Sequence, residues 1–212
     1  MNFLRSSFVA ILFIVMAVGG LTPSTAIGQT PAIAYVQTLG DRAILELTDK
    51  AASDSQRVSR MRAMLMESFD VPAVSQFVLG TYWRQASDEE KTEFMKLYSI
   101  VVSHTYAGLF KKYSGQQFKV QRERAVDDEI TVVYGQIIQP SGAEPIAVEI
   151  TTKNEPSGAY KAIDIKIEGI SMPLTHRKEY ASVIQRNSGK VAALLKLMKQ
   201  KAESLEAETP SQ

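Results

Sequence analysis

Apolar positions recur three to four apart from Pro31 to about Tyr113, then at every second position, then three to four apart again toward the C-terminus. That succession predicts helices, then strands, then helices. Ile33, Val36, Ile44 and Leu47 mark a first helix, which Gly40 is expected to bend or break. Ser53 stands where a cap is needed for a second helix carrying Val58, Met61, Leu65 and Phe69. Asp70-Val71-Pro72 reads as a cap with proline in the first turn of a short helix running through Phe77 to Gly80 and on toward Trp83. Ser87-Asp88-Glu89-Glu90 is a capping box, and the helix it opens carries Phe94, Leu97, Tyr98, Val101, Val102, Thr105 and Leu109 on one stripe. Such a stripe must face a core. Tyr106, Phe110 and Tyr113 widen it.

After Ser114-Gly115 the period falls to two. A strand begins at Phe118, and a second, Glu129 to Gln139, places Ile130, Val132, Tyr134 and Ile138 on one face. The turn sequences Pro140-Ser141-Gly142 and Glu155-Pro156-Ser157-Gly158 bracket a third strand, Pro145 to Lys153, with Ile146, Val148 and Ile150 together. A fourth, Tyr160 to Glu168, turns Ile163, Ile165 and Ile167 inward and Asp164, Lys166 and Glu168 outward, and Gly169 ends it. Short connections favour an antiparallel meander of about four strands. Tyr180, Val183 and Ile184 then mark a short helix, and Val191, Leu194, Leu195, Met198, Ala202 and Leu205 a closing one, with Glu203 to Gln212 expected to fray. The predicted fold is α+β: N-terminal helices, the sheet, closing C-terminal helices, and an apolar cavity between sheet and helices.

Composition narrows what such a fold can do. Among 212 residues there is no cysteine, which excludes disulfides, thiolate metal sites and cysteine nucleophiles. The two histidines, His104 and His176, are too few and too far apart for an imidazole metal site, and no metal or cofactor is expected. With 24 basic against 23 acidic residues, the charge gives no reason to expect nucleic acid. Arg5 followed by the apolar run Phe8 to Val18 and the small residues Ser24-Thr25-Ala26 describes a signal peptide over residues 1–28, cleaved after Ala26 or after Gly28. The run is too short for a stable membrane anchor, which needs about 20 apolar residues. Arg5 is the only charge ahead of Asp41, so cleavage takes the net charge from +1 to zero. The expectation is an exported, periplasmic chain with one domain over 29–205 and a frayed tail over 206–212.

Catalytic signals are sparse. No glycine-rich phosphate loop is present, and Gly169-Ile170-Ser171-Met172-Pro173 lacks the second glycine of a nucleophile elbow, so Ser171 reads as a cap or turn residue. His176 and Glu179 fit a solvated helix face beside Arg177 and Lys178, and His104 a packed position. Asp164 among isoleucines admits two readings: a surface or ion-pair role, or a base in an apolar cup as in small isomerases. The aromatic content facing an Ile/Val-lined sheet fits an ordinary core or a cavity for an apolar ligand.

Several segments in order resemble one family. Leu79-Gly80-Thr81-Tyr82-Trp83-Arg84, followed by Ser87 and Phe94, resembles the LG-x-YW-R … S … F pattern of MlaC-type periplasmic lipid-binding proteins, the toluene-tolerance auxiliary component of a lipid-transport ABC system. Tyr106, Leu109 and Tyr113 fit the same pattern, and Ile163-Asp164-Ile165-Lys166-Ile167-Glu168-Gly169-Ile170-Ser171 is similar to the family's D-V-x-I-E-G-V-S element. The likeness covers most of residues 31–205. Tyr160 stands where the family often has tryptophan, and Leu174 to Ile184 looks closer to the hopanoid-cluster branch, HpnM.

The resemblance implies a non-enzymatic shuttle, carrying phospholipid (by the broad family) or a hopanoid (by the branch) between an inner-membrane ABC complex and an outer-membrane lipoprotein or exporter complex. Two acyl chains of roughly 16 carbons withhold about 25 kcal/mol from water, which asks for an enclosed pocket. Strand-face arithmetic nominates Ile130, Val132, Tyr134, Ile146, Val148, Ile150, Ile163, Ile165 and Ile167 as lipid-binding, and the helices Phe77, Tyr82, Trp83, Leu97, Val101 and Leu109. The rival readings are an interaction module or chaperone without ligand, and an isomerase-like enzyme using Asp164.

Overall fold

The computed structural model describes residues 30–209, so the signal peptide expected over 1–28 and the last three residues of the tail lie outside the described residues. Among the described residues, five of the six α-helices open on a side chain that accepts a hydrogen bond from the first turn: Thr30 for α1 (Pro31–Leu47), Ser53 for α2 (Asp54–Ser68), Asp70 for α3 (Val71–Leu79), Ser87 for α4 (Asp88–Ala107) and Ser171 for α5 (Met172–Arg186). Ser53 with Gln56 and Ser87 with Glu90 complete reciprocal capping boxes. Only α6 (Val191–Glu208) lacks such a cap. It runs past Glu203, where fraying was expected, because Ala202 is still buried and Ser204 donates to Glu208 one turn on.

The first helix also departs from expectation. It passes through Gly40 without a break, because the glycine serves packing rather than chain geometry. A Cβ at Gly40 would lie 2.1 Å from Cδ1 of Phe118, and one at Gly135 would lie 3.0 Å from the same ring. The Phe118 ring therefore fills the space that two absent side chains leave between helix and sheet.

The sheet is a sequential antiparallel meander of β1 (Gln117–Ala125), β2 (Ile130–Ile138), β3 (Ile146–Asn154), β4 (Tyr160–Ile167) and a fifth strand the periodicity did not predict, β5 (Ile170–Ser171). The last two are joined through Glu168 and Gly169, at φ +49° and +76°. Positive φ at both central residues is what a two-residue hairpin turn demands, and its twist matches that of the strands. Two bulges interrupt the ladder, between Val120 and Arg122 and at Ile163.

Register decides which residues share a face. Val133 lies opposite Ile150, Gly135 opposite Val148, and those in turn opposite Ile165 and Ile167. This first face, with Ala162, packs beneath Ala32 and Val36 of α1. The second face carries Ile130, Val132, Tyr134, Glu149, Thr151, Asp164 and Lys166. The long helix α4 does not lie across the sheet as expected; its main partners are α2 and α6, and its stripe joins Val78, Ile184, Leu194 and Met198 in a separate helical core. A third, smaller cluster of Leu39, Leu47 and Met64 ties α1 to α2.

Candidate functional site

The residues nominated for lipid contact divide among four environments. Val148 and Ile150 are buried under α1 and Ile165 and Ile167 pack against the same cluster, with Ile146 on the same face opposite Ile137. Leu97 is buried in the helical core, with Tyr82, Trp83 and Val101 packed against it. Phe77 and Leu109 are exposed, at 43% and 62%. Ile130, Val132 and Tyr134 lie on the second sheet face, so they do not join Val148 and Ile150 as alternation alone suggested. The strand ITVVYGQII is apolar on both faces, and only pairing could decide which set met α1. In β4 the bulge at Ile163 breaks the alternation: Ala162 takes the inward place opposite Thr152, and Asp164 stands opposite Thr151.

Among the described residues, none of the three core clusters includes Ile130, Val132 or Ile163. They are half-buried or buried, on or beside a face whose far end meets α5. The junction there is polar. Ser171 donates to Asp164 at 2.8 Å while accepting from the Leu174 amide, so one hydroxyl caps α5 and fixes it to β4. Of the two readings of Asp164, the surface or ion-pair one does not fit: it is half-buried and, among the described residues, makes no ion pair, and burial holds its pKa above the usual carboxylate range, against the pull of Ser171. Lys166 pairs with Glu149 instead.

One turn into α5, His176 is not on a solvated face. Its Nδ1 is 2.9 Å from the Tyr98 hydroxyl and its Nε2 3.2 Å from that of Tyr106, while Tyr180 stacks on the ring at 14°. Tyr106 also donates to the Met172 sulfur at 3.3 Å. One assignment uses every donor once: Tyr98 O–H to Nδ1, Nε2–H to the Tyr106 oxygen, Tyr106 O–H to sulfur. Burial pushes the Tyr98, Tyr106 and Tyr180 hydroxyls up in pKa and the imidazole down, so all four groups are neutral near pH 7. Sequence spacing held the signal for this cluster: Met172, His176 and Tyr180 are four apart on one helical stripe, aimed at α4.

Protonating His176 would bring an N–H against Tyr98 and strand that hydroxyl's own proton. Its folded pKa lies below the ordinary value, mainly through burial, with Glu179 opposing. The unfolded chain therefore binds the proton first, and stability falls as pH drops below about 6.5. His104 is shifted in the same direction by burial. Asp164 acts oppositely, and at lower pH, because its folded pKa is raised. Urea unfolding of His176→Gln between pH 7.5 and 5 should show a shallower loss of stability than the parent chain; an unchanged slope would remove His176 as a source.

Comparison with known proteins follows the fold. The family model described as MlaC protein matches residues 37–200. A relative from Haemophilus influenzae, the intermembrane phospholipid transport system binding protein MlaC, is 23% identical over 205 residues, covering 94% of each chain. A solved phospholipid-binding protein from Ralstonia solanacearum, in complex with a phospholipid, is similar at a TM-score of 0.72 and 23% identity, over 83% of this chain and 99% of that one.

Proposed function

The chain belongs to the MlaC protein family, and from that premise we propose that it binds a phospholipid and carries it between membranes through the periplasm. The family match over residues 37–200 carries the reading. It is supported by the Haemophilus relative, a binding protein of an intermembrane phospholipid transport system, and by the Ralstonia protein, which holds a phospholipid. In this reading the leader is removed on export, and the carrier meets an inner-membrane ABC complex at one end and an outer-membrane lipoprotein complex at the other. No bond is made or broken, which suits a fold whose half-buried His176 and Asp164 are occupied by structural hydrogen bonds.

The acyl chains belong against the second sheet face. The first face is closed by α1 and the helical core by its own side chains. Ile130 and Ile163, half-buried and outside every cluster among the described residues, have apolar surface left to offer. Covering that surface with lipid contributes roughly 25 cal/mol per Å².

Native mass spectrometry with solvent extraction tests the reading, on the mature chain purified without detergent. Near-stoichiometric phospholipid is the expected result; an extracted hopanoid would replace the cargo and keep the carrier. A bare mass with no uptake from labelled vesicles would overturn the reading in favour of an interaction module. Ile130→Trp should lower loading by more than half while the melting temperature stays within a few degrees. Full loading of that variant would move the cargo off this face.

A further inference from the structure

On the open part of the second sheet face, two arginines gather around one tyrosine. The bulge between Val120 and Arg122 re-aims β1, so that Arg122 falls opposite Tyr134 and Arg124 opposite Val132, both away from α1. Without the extra residue Arg122 would point into the sheet's covered side. Its guanidinium carbon lies 3.6 Å from the centre of the Tyr134 ring, and Arg124 Nε donates to the Tyr134 hydroxyl at 3.4 Å. That cation holds the phenol below its ordinary pKa. Both arginines are exposed, and among the described residues neither forms an ion pair.

The other charges facing the pair do not neutralise it. Glu149, opposite Tyr134 on β3, is held by Lys166 at 3.3 Å. Lys119 adds a further positive group on the same face of β1. Glu123 points to the other side, where Thr30 donates to it. The two like charges repel each other across one ring, and the contacts that hold them there are those to the ring itself and the pull of Glu149 on Arg124. What the arrangement provides is a pair of guanidinium groups, one stacked and one hydrogen-bonded, with donor edges free. That is the requirement for bidentate capture of a phosphate. Val132, the cross-strand neighbour of Arg124, begins the apolar row that continues to Ile130, so a charged site and a greasy one adjoin as they do in an anionic amphiphile.

We propose that Arg122 and Arg124, spread around Tyr134, bind the phosphodiester of a lipid headgroup whose chains lie along the same sheet face. The inference rests on the phospholipid-carrying reading above and adds to it where the headgroup is held.

The experiment compares uptake of labelled phosphatidylglycerol, and of labelled diacylglycerol with the same chains, from donor vesicles. The mature protein is set against Arg122→Gln/Arg124→Gln, and against Lys199→Gln/Lys201→Gln, which removes the same charge from exposed positions on α6. The arginine double variant should lose roughly tenfold or more in affinity for phosphatidylglycerol, take up diacylglycerol as the parent does, and keep its melting temperature. The lysine double variant should match the parent with both lipids. Equal phosphatidylglycerol uptake by the parent and the arginine variant would overturn the headgroup site while leaving the carrier standing. Inorganic phosphate binding as tightly as the lipid, by phosphorus NMR, would make this a free-anion site and overturn it likewise. A parent chain that takes up neither lipid would sink the carrier reading, and the headgroup site with it.

Discussion

Gly40→Ala is expected to destabilise the protein by about 1–3 kcal/mol, although alanine is favoured over glycine inside a helix by about 1 kcal/mol. The two effects compete, and the geometry decides between them. The new methyl carbon would sit 2.1 Å from Cδ1 and 2.8 Å from Cε1 of Phe118. The ring has little room to retreat toward the sheet, because its far edge already takes up the space that a Cβ on Gly135 would need, at 3.0 Å, and the Gly135 backbone lies directly behind. The helix must therefore lift off β1, uncovering Val36, which is fully buried beneath it. Chemical denaturation of Gly40→Ala alone, and in a Phe118→Ala background, separates the two contributions. With the ring gone, the same substitution should become neutral or stabilising by up to about 1 kcal/mol. A substitution that stabilises the parent chain would show that the ring yields.

Val148→Trp is expected to unfold the chain or to cost roughly 3 kcal/mol or more, and not to give a folded protein with a blocked binding site. Val148 is 5% exposed, faces Gly135 on one side and Ile167 on the other, and packs with Ala32 and Val36 of α1. An indole has nowhere to go in that layer. The contrast with Ile130→Trp is informative, since both positions looked alike in the strand alternation. Circular dichroism melts should fall by roughly 10 °C or more for Val148→Trp and by only a few degrees for Ile130→Trp. Similar melts would mean that the two sheet faces are equally filled.

The caps and periods that located the helices were legible because each is a local property. Ser53, Asp70 and Ser87 satisfy amide groups within three residues of themselves, and no distant partner is needed to read them. The strands were legible for the same reason. Face assignment was not, where both sides of β2 are apolar and where a bulge shifts β4 by one residue. The role of Gly40 depended on a phenylalanine 78 positions away, by the numbering of the two residues. His176 illustrates a different loss: its neighbours Arg177 and Lys178 suggested water, while its partners at four-residue spacing pointed inward. The arginine pair was invisible for a related reason, since period two places Arg122 on the α1 side and only the bulge turns it outward.

The helical core draws on two stretches of chain, 71–107 and 172–208, with the whole sheet spliced between them. Phe94 and Leu97 from the first stretch find Ile184, Leu194 and Met198 only in the second. A chain emerging N-terminus first from a ribosome thus carries part of the α4 stripe uncovered until residues 184–202 are free. Long-range closure of this kind is slow, because the loop entropy is spent before the contacts repay it. Contacts with α2 and α3 can form early, so α6 acts as the bolt that closes a helical core already half assembled.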